Sequence, residues 1–321
     1  MHEFHSSLSP CLKSFVAFRI ASGRWNQSYA GNLSLFDHHC ARMFPERTSL
    51  TDDMVESWCT QRVTESSNSC RARSSVIVNL VKYLRERGTA AVSMPTMPAR
   101  RRSTYLPHTF TDAELERFFY ASDHMPMGKP NALSSRTRRI VAPVFFRLLY
   151  SSGIRTCEAR MLTVGDVDLA QGVLCIRQSK GPNQHYVALH ETMVDLLREY
   201  DRAIRTLYPE RLHFFPASRG PHLSKDWVTQ TFHAIWRQVS PSDAVPYAFR
   251  HHYAVENINR WIGEGFGFYS KLVYLSKSMG HATLESTKYY FHLVPAMAGI
   301  LQERTGSSFN DMIPEVPHEE N

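Results

Sequence analysis

Five side chains, in chain order, are of the types that exchange of a phosphodiester requires: Arg155, Lys180, Arg250, His281 and Tyr290. A phosphodiester attacked by oxygen gathers negative charge on its non-bridging oxygens, and fixed cations aimed there usually supply the largest catalytic contribution. Arginine suits that task because its planar fork holds two oxygens and stays charged. Arg155 and Arg250 are therefore assigned to the phosphate. Glu158, one helical turn beyond Arg155, is expected to orient a guanidinium rather than react. The leaving oxygen needs a proton, and Lys180 is the candidate acid. Each residue alone has a plainer reading. Arg155 could be structural, Lys180 a surface lysine, and Tyr290, beside Tyr289 and Phe291, part of a core. Tyr289 is also a rival nucleophile. Joint occurrence in this order, each in a fitting local context, favours chemistry.

The elements that must bring these groups together are legible in outline. Residues 1–93 read as a helical unit. Its clearest segment runs from Cys70 to Arg87, with Val76, Val78, Leu80, Val81 and Leu84 as an apolar stripe and Arg71, Arg73 and Lys82 on a basic face. The segment 94–108 holds three prolines and the triplet Arg100-Arg101-Arg102, which marks a linker. The three arginines, with Arg71, Arg73 and Lys82, are candidate phosphate contacts. A larger unit follows over 109–313. Thr111 and Glu114 form a capping-box pattern, the apolar run Ile140–Tyr150 predicts a buried helix, and Gly153 predicts its end. Two short strands flank Ser179-Lys180-Gly181-Pro182-Asn183 as a hairpin. Helices return at 191–207, 224–239 and 250–261. Residues 314–321, acidic and proline-broken, predict a flexible tail.

Composition narrows the partner. The chain has 321 residues and a formal charge of +7, which favours a polyanion without identifying one. Six scattered cysteines lack a CxxC pair, and the sixteen histidines complete no zinc pattern. Reduced thiols in a cytoplasmic, nucleoid-associated protein are expected. No metal or other cofactor is expected. No stretch approaches the roughly 20 apolar residues of a membrane span, so no membrane partner is expected.

The run Leu148–Asp168, containing Gly153-Ile154-Arg155 and then Glu158, resembles the first arginine box of the tyrosine recombinases, or phage-type integrases. Ser179-Lys180-Gly181 is similar to the family's lysine turn, Arg250 to its second arginine, and Met279-Gly280-His281 to its late histidine box. Tyr290, followed by His292, resembles its nucleophile and Tyr-x-His ending. The resemblance spans the chain and is specific in the C-terminal part. It implies a mainly α fold with a small antiparallel β-sheet (α+β), in which a helical core-binding domain and a catalytic domain form a C-shaped clamp on DNA. It implies a site-specific recombinase that works through a 3′-phosphotyrosyl link and a Holliday junction, without metal or ATP. Its partners would be double-stranded DNA with a specific core site, three further copies in a homo-tetramer, and accessory proteins in some systems. A single helical unit ahead of the catalytic part points to a mobile-element, plasmid or chromosome-resolution recombinase. The apolar stripe Leu293, Val294, Met297, Ile300 and Leu301 is expected to pack on a neighbouring protomer or on its own domain.

One position departs from the family. Tyr247 stands where a histidine usually precedes the second arginine, and His251 and His252 follow that arginine without aligning to it. A phenol, with a reference pKa of about 10, cannot replace an imidazole as a base near neutral pH. Tyr247 can still donate a hydrogen bond to a phosphate oxygen. Two alternatives follow: a degenerate relative that binds its site without cutting, and a type IB topoisomerase, which shares the chemistry without site choice.

Overall fold

The computed structural model describes residues 3–101, 107–126, 132–177, 184–261 and 266–293. The chain divides into two compact units, Met1–Tyr105 and Leu106–Asn321.

Among the described residues, the first unit holds four helices: α1 (Ser9–Ala21), α2 (Gln27–Met43), α3 (Asp52–Cys59) and α4 (Ser67–Glu86). Two of them start on side-chain caps. Asn26 Oδ1 accepts from the Tyr29 amide at 2.9 Å, and Ser66 Oγ from the Ser69 amide at 3.1 Å. Phe15, Phe36, Met54, Val76 and Leu80 close the core.

One expectation for α4 needs correction. Arg73 does not belong to its outer basic face. Its side chain is buried and ion-paired with Glu65 at 2.7 Å, and it donates to the carbonyls of Trp58 and Thr60. Burial of a guanidinium is tolerated there because a carboxylate and two carbonyls receive it. Arg71 is half-buried and donates to the Pro98 carbonyl at 2.8 Å. Lys82, Arg100 and Arg101 are exposed. Arg101 is pinned through its backbone, its amide donating to Asn68 Oδ1 and its carbonyl accepting from Asn68 Nδ2. Arg102 lies outside the described residues.

The second unit opens with α5 (Asp112–Asp123), started by the Thr111–Glu114 capping box. Then α6 (Leu133–Ser152) runs through the core and ends on Gly153 at φ 64°. After α7 (Thr156–Met161) comes a three-stranded antiparallel sheet in the order β1 (Val167–Asp168), β2 (Val173–Ile176), β3 (His185–Ala188), with Leu174 opposite Val187. The hairpin turn that carries Lys180 lies outside the described residues. Next come α8 (Glu191–Arg205), α9 (Lys225–Trp236), α10 (Ala248–Trp261), α11 (Phe266–Ser278), α12 (Glu285–Lys288) and a 3-10 turn at Tyr289–Leu293. The fold is thus mainly helical with one small antiparallel sheet. The sequence pattern predicts neither α11 nor the two-residue β1.

Among the described residues, two apolar cores form in this unit. The larger gathers Phe118, Phe145, Phe146, Phe232 and Phe249 between α5, α6, α9 and α10. The smaller joins Ala254 and Ile258 of α10 to Leu272 and Leu275 of α11, with Met279 and Tyr290. Among the described residues, no helix is long and apolar enough to cross a membrane.

Candidate active site

Arg155, Arg250, His281 and Tyr290 converge. Arg155 precedes α7, where its amide donates to Glu158 Oε2 at 2.8 Å and its Nη1 pairs with Glu158 Oε1 at 2.6 Å. The Glu158 carboxylate is fully buried, so it both starts the helix and fixes the guanidinium. Arg250 sits in the first turn of α10 and is 1% exposed. Its Nη1 donates to the Gly153 carbonyl at 2.7 Å, and its Nη2 to the Met279 carbonyl at 2.6 Å. Arg155 Nη2 reaches the next carbonyl, that of Gly280, at 3.1 Å. Two consecutive carbonyls therefore receive one guanidinium each, which ties the two arginine boxes to the histidine box.

Two glycines make this possible. Gly153 has positive φ, and a Cβ there would collide with the Tyr253 ring. Gly280 has φ 61°, and a Cβ would lie 2.5 Å from His185 Cε1 at the start of β3. His185 thus ties the strand leaving the hairpin to the turn that presents His281.

His281 is fixed at both ring nitrogens. Nε2 lies 3.0 Å from Arg250 Nη2, and Nδ1 lies 2.7 Å from Thr287 Oγ1. A guanidinium only donates, so Nε2 carries the lone pair and Nδ1 the proton. Burial, followed by the Arg250 and Arg155 charges, holds the His281 pKa down to about 4. The Tyr290 ring stacks on His281 at 6.1 Å and 18°. Tyr290 is buried, and burial pushes its phenol up to about 12. Arg250 draws that value down and Tyr247 adds to it. The rival Tyr289 is 46% exposed, outside the apolar cluster that holds Tyr290.

Residues 109–297 match the profile of the phage integrase family. The chain belongs to the phage integrase family. An integrase relative from Sinorhizobium fredii, provisionally named integrase/recombinase y4rE, is 27% identical over 300 residues, covering 90% of this chain and 93% of its own. Tyrosine recombinase XerD of Vibrio cholerae is 24% identical over 244 residues, 74% of each chain. Among solved structures, XerH recombinase in a post-cleavage complex with its palindromic difH substrate superposes with a TM-score of 0.61 at 19% identity, covering 87% of this chain and 78% of that one. A lambda integrase dimer on a core site gives 0.57 at 14% identity, covering 88% and 76%. These likenesses establish the fold: a tyrosine-recombinase catalytic domain.

Tyr247, the departure from the integrase pattern, is 40% exposed, and its ring packs edge-on against His251 at 5.1 Å. His251 also faces Tyr290 at 5.6 Å and Tyr289 at 6.2 Å. Its Nδ1 is buried without a hydrogen-bond partner. Lys180 and the stripe beyond Leu293 lie outside the described residues. Sequence reasoning missed Thr287, the Gly153, Met279 and Gly280 carbonyls, and His185. Gly153 signalled the end of its helix but not which guanidinium its carbonyl receives. Among the described residues, no group of three or more His, Cys, Asp or Glu side chains could hold a metal ion.

Proposed function

We propose that this integrase cuts and rejoins double-stranded DNA at a specific core site. Tyr290 Oη bonds to the scissile phosphorus, and the bond from phosphorus to the 5′-oxygen breaks. The phosphate stays on Tyr290 as a 3′-phosphotyrosine, and the 5′-oxygen leaves with a proton from Lys180. Reversal by a 5′-hydroxyl reseals a strand without ATP. Arg155 and Arg250 hold the phosphate oxygens, Glu158 orients Arg155, and Tyr247 donates to a phosphate oxygen. Strand exchange proceeds in pairs within a homo-tetramer, through a Holliday junction. Residues 1–93 form the core-binding domain, and Arg100, Arg101 and Arg102 contact phosphates. The setting is cytoplasmic and nucleoid-associated, and the element served is a mobile element, a plasmid or a chromosome in need of resolution, with accessory proteins where a system uses them.

The observation that carries this reading is the meeting of two guanidiniums and His281 around Tyr290, from positions 135 residues apart at the extremes, Arg155 and Tyr290. The test is covalent capture from a nicked suicide-substrate library with a randomised core. The parent and Tyr289→Phe should yield a denaturant-resistant adduct, and Tyr290→Phe none. A parent that binds the library without forming adduct would support the degenerate binder that the Tyr247 departure allows. Relaxation of any plasmid, with no sequence enriched, would support a type IB topoisomerase.

A further inference from the structure

The phenolic proton of Tyr290 needs an acceptor when Oη bonds to phosphorus. His281 is committed at both nitrogens, with Nε2 accepting from Arg250 and Nδ1 donating to Thr287. A phenol at position 247 offers no basic nitrogen. His252 stacks on Tyr150 at 5.5 Å and faces Phe110, in the larger core. His251 remains. It lies one helical turn beyond Tyr247 on α10 and touches both Tyr247 and Tyr290. Its Nδ1 is buried without a hydrogen-bond partner, as is that of His252, but of the two only His251 faces the Tyr290 ring.

We propose that His251 is the base of this integrase: its imidazole accepts the Tyr290 phenolic proton as Oη bonds to phosphorus, and returns it when the 5′-hydroxyl reseals the strand. The proposal rests on the recombinase reading and adds a residue to it. The groups facing His251 are Tyr247 from the turn before α10, Arg250 from α10, and Tyr289 and Tyr290 from the 3-10 turn. Burial, then the Arg250 charge, holds its pKa to about 4, so it is neutral and able to accept at physiological pH. A bound phosphate anion offsets the Arg250 charge and strengthens the base when the reaction needs it.

The test uses the full chain and the DNA site recovered by capture, in two forms: one with the natural 5′-oxygen and one with sulfur in its place. Sulfur leaves without a proton, so it bypasses the acid but not the base. His251→Gln should form adduct about 100-fold more slowly on both substrates, in the range of a lost general base. Its rate should climb steadily with pH, because only hydroxide is left to take the proton, whereas the parent should be flat from about pH 6 to 8. A parent-like rate with a flat profile overturns the proposal. Recovery on the sulfur substrate also overturns it, since it would make His251 an acid for the leaving group. A far-UV circular dichroism spectrum and a Tm that match the parent separate this role from damage to the fold. Failure of the parent to form any adduct would instead sink the recombinase reading.

Discussion

Thr287 Oγ1 accepts the Nδ1 proton of His281 at 2.7 Å, and both groups lie on the short segment that ends at Tyr290. The threonine sets the histidine tautomer, which in turn keeps Nε2 turned to Arg250. Thr287→Val preserves shape and removes the acceptor. Adduct formation should slow by about 5- to 10-fold, the kinetic equivalent of a missing hydrogen bond of about 1 kcal/mol. Single-turnover cleavage of the suicide substrate checks this. An unchanged rate would mean that Thr287 does not set the tautomer.

Gly153 joins fold and site in one residue. Gly153→Ala must hold a Cβ at positive φ and push it into the Tyr253 ring. The left-handed conformation alone costs about 1–2 kcal/mol. The clash adds to that and displaces the carbonyl that receives Arg250. Thermal unfolding should show a clear fall in Tm, together with loss of cleavage. Wild-type Tm and rate in this variant would disprove the assignment.

Arg73 and the linker arginines should separate stability from DNA affinity. Arg73→Ala breaks a buried pair with Glu65 and should destabilise the first unit by about 3–5 kcal/mol. Replacing Arg100, Arg101 and Arg102 with alanine should leave Tm unchanged. It should flatten the plot of log affinity against log salt by about 0.9 for each phosphate left without its arginine. Urea denaturation and salt-dependent DNA binding read the two effects independently. An unaltered salt slope in the triple variant would remove the linker from the interface.

Acid should loosen the catalytic unit. His251 and His281 sit near 4, below the ordinary value of 6.5. The unfolded chain takes up these protons first as pH falls, so their contribution to stability is full above about pH 6.5 and is lost as pH drops toward about 4. Urea midpoints at pH 7, 5.5 and 4.5 should decline, and the decline should be shallower in a His251→Gln, His281→Gln double variant. Parallel declines would assign the acid sensitivity to other groups.

The contrast between what the sequence predicts and what it hides has physical roots. The Thr111 capping box and the Gly153 stop use residues with strong local preferences, so they are legible. Arg73 is not, because its partner Glu65 lies eight positions upstream across a turn, and a pattern of charges cannot say which one points inward. Helix α11 escapes because Tyr269 and Tyr274 are exposed, 62% and 71%, which breaks the apolar periodicity. At the site, types and order are readable for Arg155, Arg250, His281 and Tyr290. The carbonyls that receive the guanidiniums are not, because backbone acceptors leave no mark in the sequence.

The smaller apolar core, in which Tyr290 is packed with Ala254, Ile258, Leu272, Leu275 and Met279, stands apart from the phenylalanine cluster of the main body. So small a core can open as a local unit while the larger one stays intact. Backbone amides of α11 and of the 3-10 turn should therefore exchange with deuterated water well before those of α6. Tyr290 is carried on the smaller core, so its exposure can be timed by what binds there rather than by unfolding of the whole domain.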